Sequence, residues 1–271
     1  MSDVGIPRLR RGSTPPELEW RWGDITLVGT SLAARATAFA VGELGVALDI
    51  GRMTPLLAAQ PVVLLSHGHL DHLSGVLAYL NVRARFHTDE PTRLVVPREI
   101  RDAMLGALQL LPGMESVRKR LDLSDTVVGA APGDRVELRG SYAVAFACDH
   151  RVPALGWRLY RGGSERAALV YAGDGSTAPF EVDPTLLDAG VAVVECTFVE
   201  PNRLIAARLS RHAHVRDWIE LGPRLTCDHL VLAHLPAIPL DQLRTLTEPL
   251  AAALSGRLVL WAPRRLPGER G

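Results

Sequence analysis

The chain has 271 residues, of which 47% are hydrophobic and 22% charged, and its 30 basic residues balance its 30 acidic ones. This length and hydrophobic content suffice for a large buried core, and a net charge near zero argues against a protein whose whole surface binds nucleic acid. The cysteines Cys148, Cys196 and Cys227 are widely spaced, so that neither a disulfide framework nor a CxxC zinc knuckle fits.

The two ends of the chain differ from its middle in composition. Residues 1–19 are rich in Arg, Pro and Glu and have no apolar stretch of the kind found in a secretory signal. Residues 263–271 are rich in Pro, Arg and Gly. No apolar run approaches the roughly 18 residues of a membrane span. We predict a flexible N-terminal arm over 1–19, one domain over 20–262, a flexible C-terminal tail over 263–271 and a cytoplasmic location.

Within the domain, short apolar runs alternate with helical stretches. Strands are predicted where a run is β-branched and bounded by Gly, Pro or Asp, at Asp24–Val28, Gly45–Ile50, Val62–Ser66, Arg93–Val96, Tyr142–Cys148, Gly156–Tyr160, Ala168–Ala172, Val191–Glu195, Leu230–Ala233 and Leu258–Trp261. Helices are predicted at Leu73–Tyr79, Arg98–Leu111, Pro184–Ala189, His212–Leu221 and Asp241–Leu254. This order indicates one mixed α and β domain whose sheets are covered by helices.

One predicted helix has an apolar face with helical spacing. We expect five residues of Arg98–Leu111 to face the core, namely Ile100, Met104, Leu105, Leu108 and Leu111. Such a stripe indicates packing rather than a cofactor site.

The strongest chemical signal is the segment Ser66-His67-Gly68-His69-Leu70-Asp71-His72, which directly follows the apolar run 61–65. Imidazoles and carboxylates are natural ligands of Zn²⁺ and related ions. On a tight loop, His67 and His69 can converge on one point while Asp71 and His72 face a second. Gly68 lets the backbone fold closely around that centre. A chance clustering of these residues is improbable, so we interpret the segment as a metal-binding loop.

Three more candidate ligands each follow a predicted strand. They are His150, Asp174 and His234, which come after Tyr142–Cys148, Ala168–Ala172 and Leu230–Ala233. A strand end suits a ligand because the strand fixes the backbone while the loop opens to solvent. A single His in such a place is more often a hydrogen-bonded structural residue. Together with the metal-binding loop, however, the three residues favour a metal site.

With these residues in place, the chain resembles the metallo-β-lactamase superfamily. The order His-x-His-x-Asp-His, a distal His, an Asp after Gly and a last His is the ligand set of that superfamily. Within it, the chain is most similar to the short form of ribonuclease Z, the endonuclease that trims the 3′ trailer from precursor tRNA. The similarity runs from about Trp20 to His234 and includes Asp49–Arg52, Val95–Pro97, His150–Trp157, Ala172–Asp174, Glu195–Phe198 and His212–His214. It implies a four-layer αββα sandwich.

The resemblance also implies two divalent metal ions and their ligands. One ion would be bound by His67, His69 and His150, the other by Asp71, His72 and His234, and Asp174 would bridge them. Two such ions about 3.5–4 Å apart can share a hydroxide and clamp the oxygens of a phosphoryl displacement. Asp71 would also accept the proton of the attacking water. We expect Zn²⁺, although Mn²⁺ and Fe accept the same ligands.

A further pair of residues narrows the predicted chemistry. The resemblance implies that Glu195, in a Glu-x-Thr motif, orients His212, which then protonates the leaving oxygen. The alternative is that Glu195 forms a salt bridge in the core and His212 caps a helix. His214 would point elsewhere on a helix, and we leave it out of the site. His87 and His229 are predicted to be surface or packing residues.

The chain departs from ribonuclease Z in three places. The long arm that grips tRNA is missing, since Arg161–Glu165 resembles a short hairpin turn. The final His is followed by Leu235–Pro239 instead of Ser-x-Arg-Tyr, which removes an Arg and hydroxyls suited to phosphate. Gly175 replaces the usual Thr after the bridging Asp.

Basic side chains could compensate for these losses. Candidates for a phosphate path are Arg118, Lys119, Arg120, Arg203, Arg208, Arg211 and Arg216. The alternative is a solvated surface with internal salt bridges.

We therefore predict a dinuclear metal-dependent hydrolase that cleaves a phosphodiester by metal-activated hydroxide, as ribonuclease Z does in tRNA 3′ processing. The alternative is a hydrolase of the same fold acting on a small cyclic phosphodiester, sulfate ester or lactone, which the missing arm and neutral charge favour. A non-catalytic relative fits less well, because all seven ligand positions hold competent residues. The expected partner is a phosphodiester substrate such as RNA, and the resemblance implies a second copy in a homodimer. We expect no membrane partner.

Overall fold

Two β-sheets form the centre of the molecule, as seen in a computed structural model that describes residues 4–10 and 17–262. The first sheet has eight strands in the order β1 (Arg8–Leu9), β2 (Leu18–Trp22), β3 (Ile25–Leu32), β4 (Ala36–Val41), β5 (Val46–Leu48), β6 (Val62–Leu64), β7 (Arg93–Pro97) and β8 (Val127–Ala130). The second has seven, β9 (Arg135–Leu138), β10 (Ser141–Ala147), β11 (Leu155–Arg161), β12 (Ala167–Tyr171), β13 (Ala189–Glu195), β14 (His229–Ala233) and β15 (Leu258–Leu260).

Each sheet is antiparallel in one half and parallel in the other. Pairing is antiparallel from β1 to β5 and parallel from β5 to β8. It is likewise antiparallel from β9 to β12 and parallel from β12 to β15. In a parallel half, all strands end at the same edge of the sheet, so the loops that follow them lie side by side.

Helices cover the outer face of each sheet. On the first sheet these are α1 (Pro55–Ala58), α2 (Leu70–Leu73), α3 (Val76–Phe86), α4 (Arg98–Leu110), α5 (Glu115–Arg118) and α6 (Leu123–Thr126). The second half of the chain forms α7 (Ala178–Val182), α8 (Leu204–Ser210), α9 (Val215–Leu221) and α10 (Leu240–Ala253). None of the described helices is long and apolar enough to cross a membrane.

Three apolar layers hold these parts together, one between the sheets and one under each set of helices. Strand β13 shows how the sequence builds them. Its Val191 and Val193 lie between the sheets, whereas Ala192 and Val194 lie under the helices. Side chains alternate along a strand, so a strand that is buried on both faces must be apolar throughout. The predicted four-layer αββα sandwich is confirmed.

The predicted strands are confirmed, while several others were missed. Each predicted strand overlaps an observed one, with ends that differ by a few residues. The missed strands are β1, β2, β4, β8 and β9. Of these, β4 is rich in Ala, and β9 alternates charged with apolar residues, so neither has the run of β-branched residues used for the prediction.

The predicted helices needed more correction. The helix predicted at Leu73–Tyr79 is wrong in position, because α2 ends at Leu73 and α3 begins at Val76. Between them, a Cβ on Gly75 would lie 2.6 Å from the carbonyl oxygen of Ile50, so only glycine allows this approach. The helix predicted at Pro184–Ala189 is a short 3₁₀ helix over Pro184–Leu187.

Two other helices are closer to expectation. The predicted helix Asp241–Leu254 is confirmed as α10, shifted by one residue at each end. Predicted helix Arg98–Leu111 is confirmed as α4, with Leu108 in the core and Ile100, Met104 and Leu105 partly buried against it. Leu111 is exposed instead, because the helix ends at Leu110 and the chain turns away.

The described part of the predicted N-terminal arm joins the sheets. Gly5 bridges to Val259 of β15, and Arg8–Leu9 pairs with β2. Glu17 is buried and accepts a hydrogen bond of 2.8 Å from the hydroxyl of Thr54. These contacts place the described residues of this segment against the domain, and the flexible arm stays a prediction. The predicted tail, 263–271, lies outside the described residues.

The close pairing of β3 with β4 gives a test of the fold. Gly29 of β3 faces Phe39, and an added Cβ would lie 2.1 Å from the carbonyl oxygen of Ala38. Because that oxygen belongs to a buried strand, we expect Gly29→Ala to lower the free energy of unfolding by about 1–3 kcal/mol or more. Urea unfolding measures this. Gly42→Ala is the control, since nothing lies within 4 Å of its added Cβ. Equal midpoints for the two variants would contradict the prediction.

Candidate metal centre

The candidate ligands meet at the edge where the parallel strands end. Asp49 follows β5, and the loop with His67 follows β6. In the second sheet, Asp174 follows β12, Glu195 ends β13 and His234 follows β14. Because both sheets end their parallel strands at this edge, residues far apart in sequence form one site.

The first predicted group, His67, His69 and His150, is brought together. One ring nitrogen of each lies within 4.8 Å of those of the other two. The ring centroids are 4.6–5.0 Å apart, and His150 Nε2 is 3.4 Å from His69 Nδ1. Three imidazoles at this separation can bind one ion.

The second predicted group, Asp71, His72 and His234, lies beside the first. Asp71 Oδ2 is 3.1 Å from His234 Nε2 and 3.7 Å from His72 Nε2. Asp174 lies between the groups, with its Oδ2 3.3 Å from both His72 Nε2 and His234 Nε2 and 3.9 Å from His67 Nε2. One carboxylate therefore reaches both groups, as a bridging ligand would.

Two buried ring nitrogens show that the residues fit a metal. Within the described part of the chain, Nε2 of His67 and of His72 has no hydrogen-bond partner. Nδ1 of each ring is engaged instead, 2.9 Å from the Ser66 hydroxyl and 2.6 Å from Asp49 respectively. A ring that donates from Nδ1 keeps a lone pair on Nε2. Unpaired buried polar atoms are costly, and a divalent cation in each group of ligands would satisfy them.

Asp49 is a site residue whose role was missed from the sequence. Its fully buried carboxylate accepts bonds from the Ser66 backbone N–H (2.6 Å) and hydroxyl (2.7 Å), from His72, and from the Tyr171 hydroxyl. The Ser66 hydroxyl proton thus points at Asp49, which leaves its oxygen to accept from His67 Nδ1. The available signal was its place after a short apolar strand, as for Asp174.

The carboxylates make the centre attractive to cations. Burial and then the neighbouring imidazoles lower the pKa of His67 to about 2, although the charge of Asp174 opposes them. Burial also lowers the pKa of His72, but the charges of Asp174 and Asp49 outweigh it and hold that pKa well above its usual range. Burial raises the pKa of Asp174, yet His72 and His234 keep it well below the ordinary value. The same charges that favour a proton on His72 would favour a divalent ion.

The predicted pair of Glu195 and His212 is formed next to Asp174. His212 Nδ1 lies 2.8 Å from Glu195 Oε1 and 4.0 Å from Asp174 Oδ2. Burial lowers the pKa of His212, but the hydrogen bond and charge of Glu195 outweigh it, and the net shift is upward. With Nδ1 donating to Glu195, Nε2 of His212 is the atom that can act on a substrate.

Thr197 is a second residue whose role was missed. Its backbone N–H and hydroxyl both donate to Glu195 Oε2, at 2.8 and 2.7 Å, and the hydroxyl lies 2.9 Å from His234 Nδ1. Thr197 therefore links Glu195, the partner of the predicted acid His212, to a predicted metal ligand. Its position two residues after Glu195 was part of the resemblance, but the contact with His234 spans 37 residues of sequence.

Two histidines outside the candidate site, His214 and His229, have structural roles. His214 caps α9. Its Nδ1 accepts from the Arg216 N–H at 3.0 Å, and its backbone N–H donates to the Asp217 carboxylate. The helix predicted from His212 therefore begins only at Val215. His229 packs edge-on against Trp20 and Trp22.

The cysteines are free thiols. Cys196 and Cys227 are buried, and Cys148 donates to the carbonyl oxygen of Ala172 at 2.9 Å. Burial raises the pKa of all three, which makes them unreactive.

Most of the basic candidates have partners within the protein. Arg118 donates to the Leu108 carbonyl, and Arg120 donates to that of Ala84. Arg208 binds Asp217 with two nitrogens, and Arg216 binds Glu220 at 3.0 Å. These contacts favour the alternative of an internally paired surface. Arg211 differs, because it contacts His150.

The connection between β11 and β12 is a short hairpin. The two strands pair in antiparallel fashion, and only Gly162–Arg166 lies between them. The predicted absence of an arm at this position is confirmed.

A four-layer αββα sandwich with His and Asp ligands at its strand ends defines a metal-dependent hydrolase of the metallo-β-lactamase fold. Residues 52–235 match the beta-lactamase superfamily domain. This match spans more than half of the chain, and the chain therefore belongs to that superfamily.

The relatives found by sequence include ribonucleases Z. The chain is 24% identical over 265 residues to a chloroplastic tRNase Z of Arabidopsis thaliana, which covers 85% of this chain and 73% of that protein. It is 29% identical over 150 residues to the nuclear ribonuclease Z of Triticum aestivum, which covers 55% of this chain and 81% of that protein.

Solved structures share the fold. The metallo-beta-lactamase fold protein YhfI of Bacillus subtilis aligns with a TM-score of 0.62 and 16% identity, over 85% of this chain and 93% of YhfI. The short form of human tRNase Z aligns with a TM-score of 0.53 and 15% identity, over 87% of this chain and 91% of that chain.

The contacts of Asp49 predict its effect on metal affinity. Asp49→Asn would weaken the bonds that orient His72 and Ser66, so we expect the affinity for Zn²⁺ to fall by about 10–100-fold. Titration of metal-free protein against a competing chelator measures this. The control is Asp228→Asn, which removes a carboxylate paired with Arg166 away from the site. An unchanged Zn²⁺ affinity in Asp49→Asn would rule out this role.

Proposed function

We propose that the protein is a dinuclear phosphodiesterase similar to ribonuclease Z. The observation on which this rests is the Asp174 carboxylate, which lies between two groups of three ligands and 4.0 Å from His212. One group is His67, His69 and His150, and the other is Asp71, His72 and His234. Two divalent ions held there would lower the pKa of water and offset the charge of a phosphate.

Asp71 is the proposed proton acceptor. It is less buried than Asp174, with 15% of its side chain exposed. Burial raises its pKa, but the hydrogen bond from His234 and the nearby imidazoles outweigh this and lower it to about 2. Asp71 is therefore ionised at neutral pH, and its carboxylate can take a proton from the attacking water.

His212 is the proposed proton donor to the leaving oxygen. Glu195 holds its Nδ1, receives further bonds from the Ala213 N–H at 2.9 Å and from Thr197, and so fixes the ring in one orientation. The raised pKa of His212 favours the protonated form. Its Nε2–H can then be given to an alkoxide, which is a poor leaving group without an acid.

The proposed substrate is RNA with a 3′ extension. Support comes from the sequence relatives, which are ribonucleases Z, together with the Glu195–His212 pair. The short hairpin Gly162–Arg166 favours a second candidate, a small cyclic phosphodiester or other ester, because nothing at that position could grip tRNA. Zn²⁺, the homodimer and the cytoplasmic location stay predictions.

Cleavage of an end-labelled, 3′-extended precursor tRNA by metal-loaded protein decides between the two substrates. We expect one cut at the end of the acceptor stem, and no cut by Asp174→Ala or after chelation, because both remove the shared ligand set. If the protein binds metal but leaves precursor tRNA intact, the small ester is the better candidate. If Asp174→Ala also hydrolyses an activated phosphodiester as fast as wild type, the proposed centre is wrong.

The role of His212 depends on the leaving group. We expect His212→Ala to slow cleavage of a natural phosphodiester by about 10²–10⁴-fold, since an alkoxide needs an acid. Hydrolysis of a p-nitrophenyl phosphodiester should slow far less, because its leaving group needs no acid. Steady-state rates on both substrates give the ratio, with His87→Asn as a control. Equal losses on the two substrates would argue against proton donation by His212.

A further inference from the structure

Arg211 has an unusual backbone conformation beside the candidate metal centre. It caps α8 with φ +55° and ψ +49°, the left-handed region, and its N–H donates to carbonyls of the last helical turn. Glycine is the usual residue at such a cap, because it has no Cβ to clash. Residues other than glycine in this conformation cluster at active sites and ligand-binding positions.

The side chain of Arg211 is fixed against the loop that contains His150. Its Nη1 donates to the His150 carbonyl at 3.3 Å and lies 3.5 Å from Asp149 Oδ1. In the other direction, His150 Nδ1 lies 3.3 Å from the Arg211 carbonyl, to which it can donate. Asp149 is itself held by Ser176, whose hydroxyl is 2.5 Å from Oδ2. The guanidinium is thus anchored on Asp149 and His150, and the residue that follows Arg211 in the chain is His212.

Part of this guanidinium remains available to a ligand. The side chain is 56% exposed, and no hydrogen bond uses Nε or Nη2 within the described residues. By contrast, the neighbouring Arg208 and Arg216 are engaged with Asp217 and Glu220. Arg211 is therefore a guanidinium of this segment that can meet a substrate.

The charge of the centre gives a reason for such a group. The carboxylates of Asp49, Asp71, Asp174 and Glu195 surround it, and two divalent ions would only balance them. The loop after His234, residues 235–240, contains no charged residue. Beyond the ions and a protonated His212, any further positive charge for an anionic substrate must therefore come from a neighbouring segment.

We propose that Arg211 is a specificity-determining residue that binds a non-bridging oxygen of the substrate phosphate. The proposal rests on the proposed phosphodiesterase function and names the group by which this site selects an anionic substrate. The planar guanidinium has parallel N–H donors that match phosphate oxygens, and its second edge is already held in place.

Binding of inorganic phosphate to the metal-loaded protein tests this without catalysis. We expect Arg211→Gln to weaken phosphate binding about tenfold or more, because a hydrogen bond to a charged group is lost. Arg211→Lys should keep part of the affinity, while Arg216→Gln, the matched control, should bind phosphate as wild type does. Metal content should be the same in all. Unchanged binding in Arg211→Gln, or a loss that follows a loss of metal, would overturn the proposal.

Arg211→Gly separates the side chain from the backbone. Glycine relieves the left-handed conformation, so we expect a melting temperature at or above that of wild type together with the weakened phosphate binding of Arg211→Gln. A Gly variant with wild-type phosphate affinity would exclude the side chain as a phosphate ligand.

Kinetics distinguish the two proposals. If wild type cleaves phosphodiesters, Arg211→Gln should raise KM about tenfold with a smaller change in kcat. If wild type cleaves no phosphodiester, the proposed function fails, and the phosphate titration still decides whether Arg211 binds an anion.

Discussion

The structure of the site depends on one buried carboxylate, that of Asp49. It receives hydrogen bonds from Ser66 and His72 of the first sheet's loops and from Tyr171 of the second sheet. These bonds set which ring nitrogens of His67 and His72 face the centre, and they tie the two sheets together at the point where the ligands meet. A fully buried carboxylate needs these donors, and so the donors cannot move independently.

From this anchor, the site divides into parts that perform hydrolysis and parts that select a substrate. The seven candidate ligands and Glu195 lie at strand ends or on the loops and the short helix α2 that follow them, and His212 lies between α8 and α9. Gly175, one of the three predicted differences from ribonuclease Z, is buried, whereas the other two, Gly162–Arg166 and the loop after His234, lie mostly at the surface. Change there alters what is bound without disturbing the sheets. Metal ligands similar to those of ribonuclease Z are therefore compatible with a different substrate.

The sequence predicted those parts whose signal is local. The metal-binding loop is a continuous motif, and strands such as β13 are continuous apolar runs, so both could be read directly. Asp49 and Thr197 were missed because their roles come from distant partners. Asp49 contacts Tyr171, 122 residues away, and Thr197 contacts His234, 37 residues away. The break before α3 arises from a tertiary contact of Gly75 with Ile50, which no helical periodicity reveals. Arg211 was seen only as one charge among several.

The division of the chain into two similar halves has a thermodynamic consequence. Four candidate ligands come from the first sheet's half, including His67 and His69, and three from the second, including His150 and Asp174. Each of the two ligand groups takes residues from both halves, so neither half alone can complete the ligands of either ion. An ion that binds only when both halves are docked lowers the free energy of the docked state alone. Metal occupancy would thus couple the two halves into one cooperative unfolding unit, and loss of metal would first loosen the seam between them.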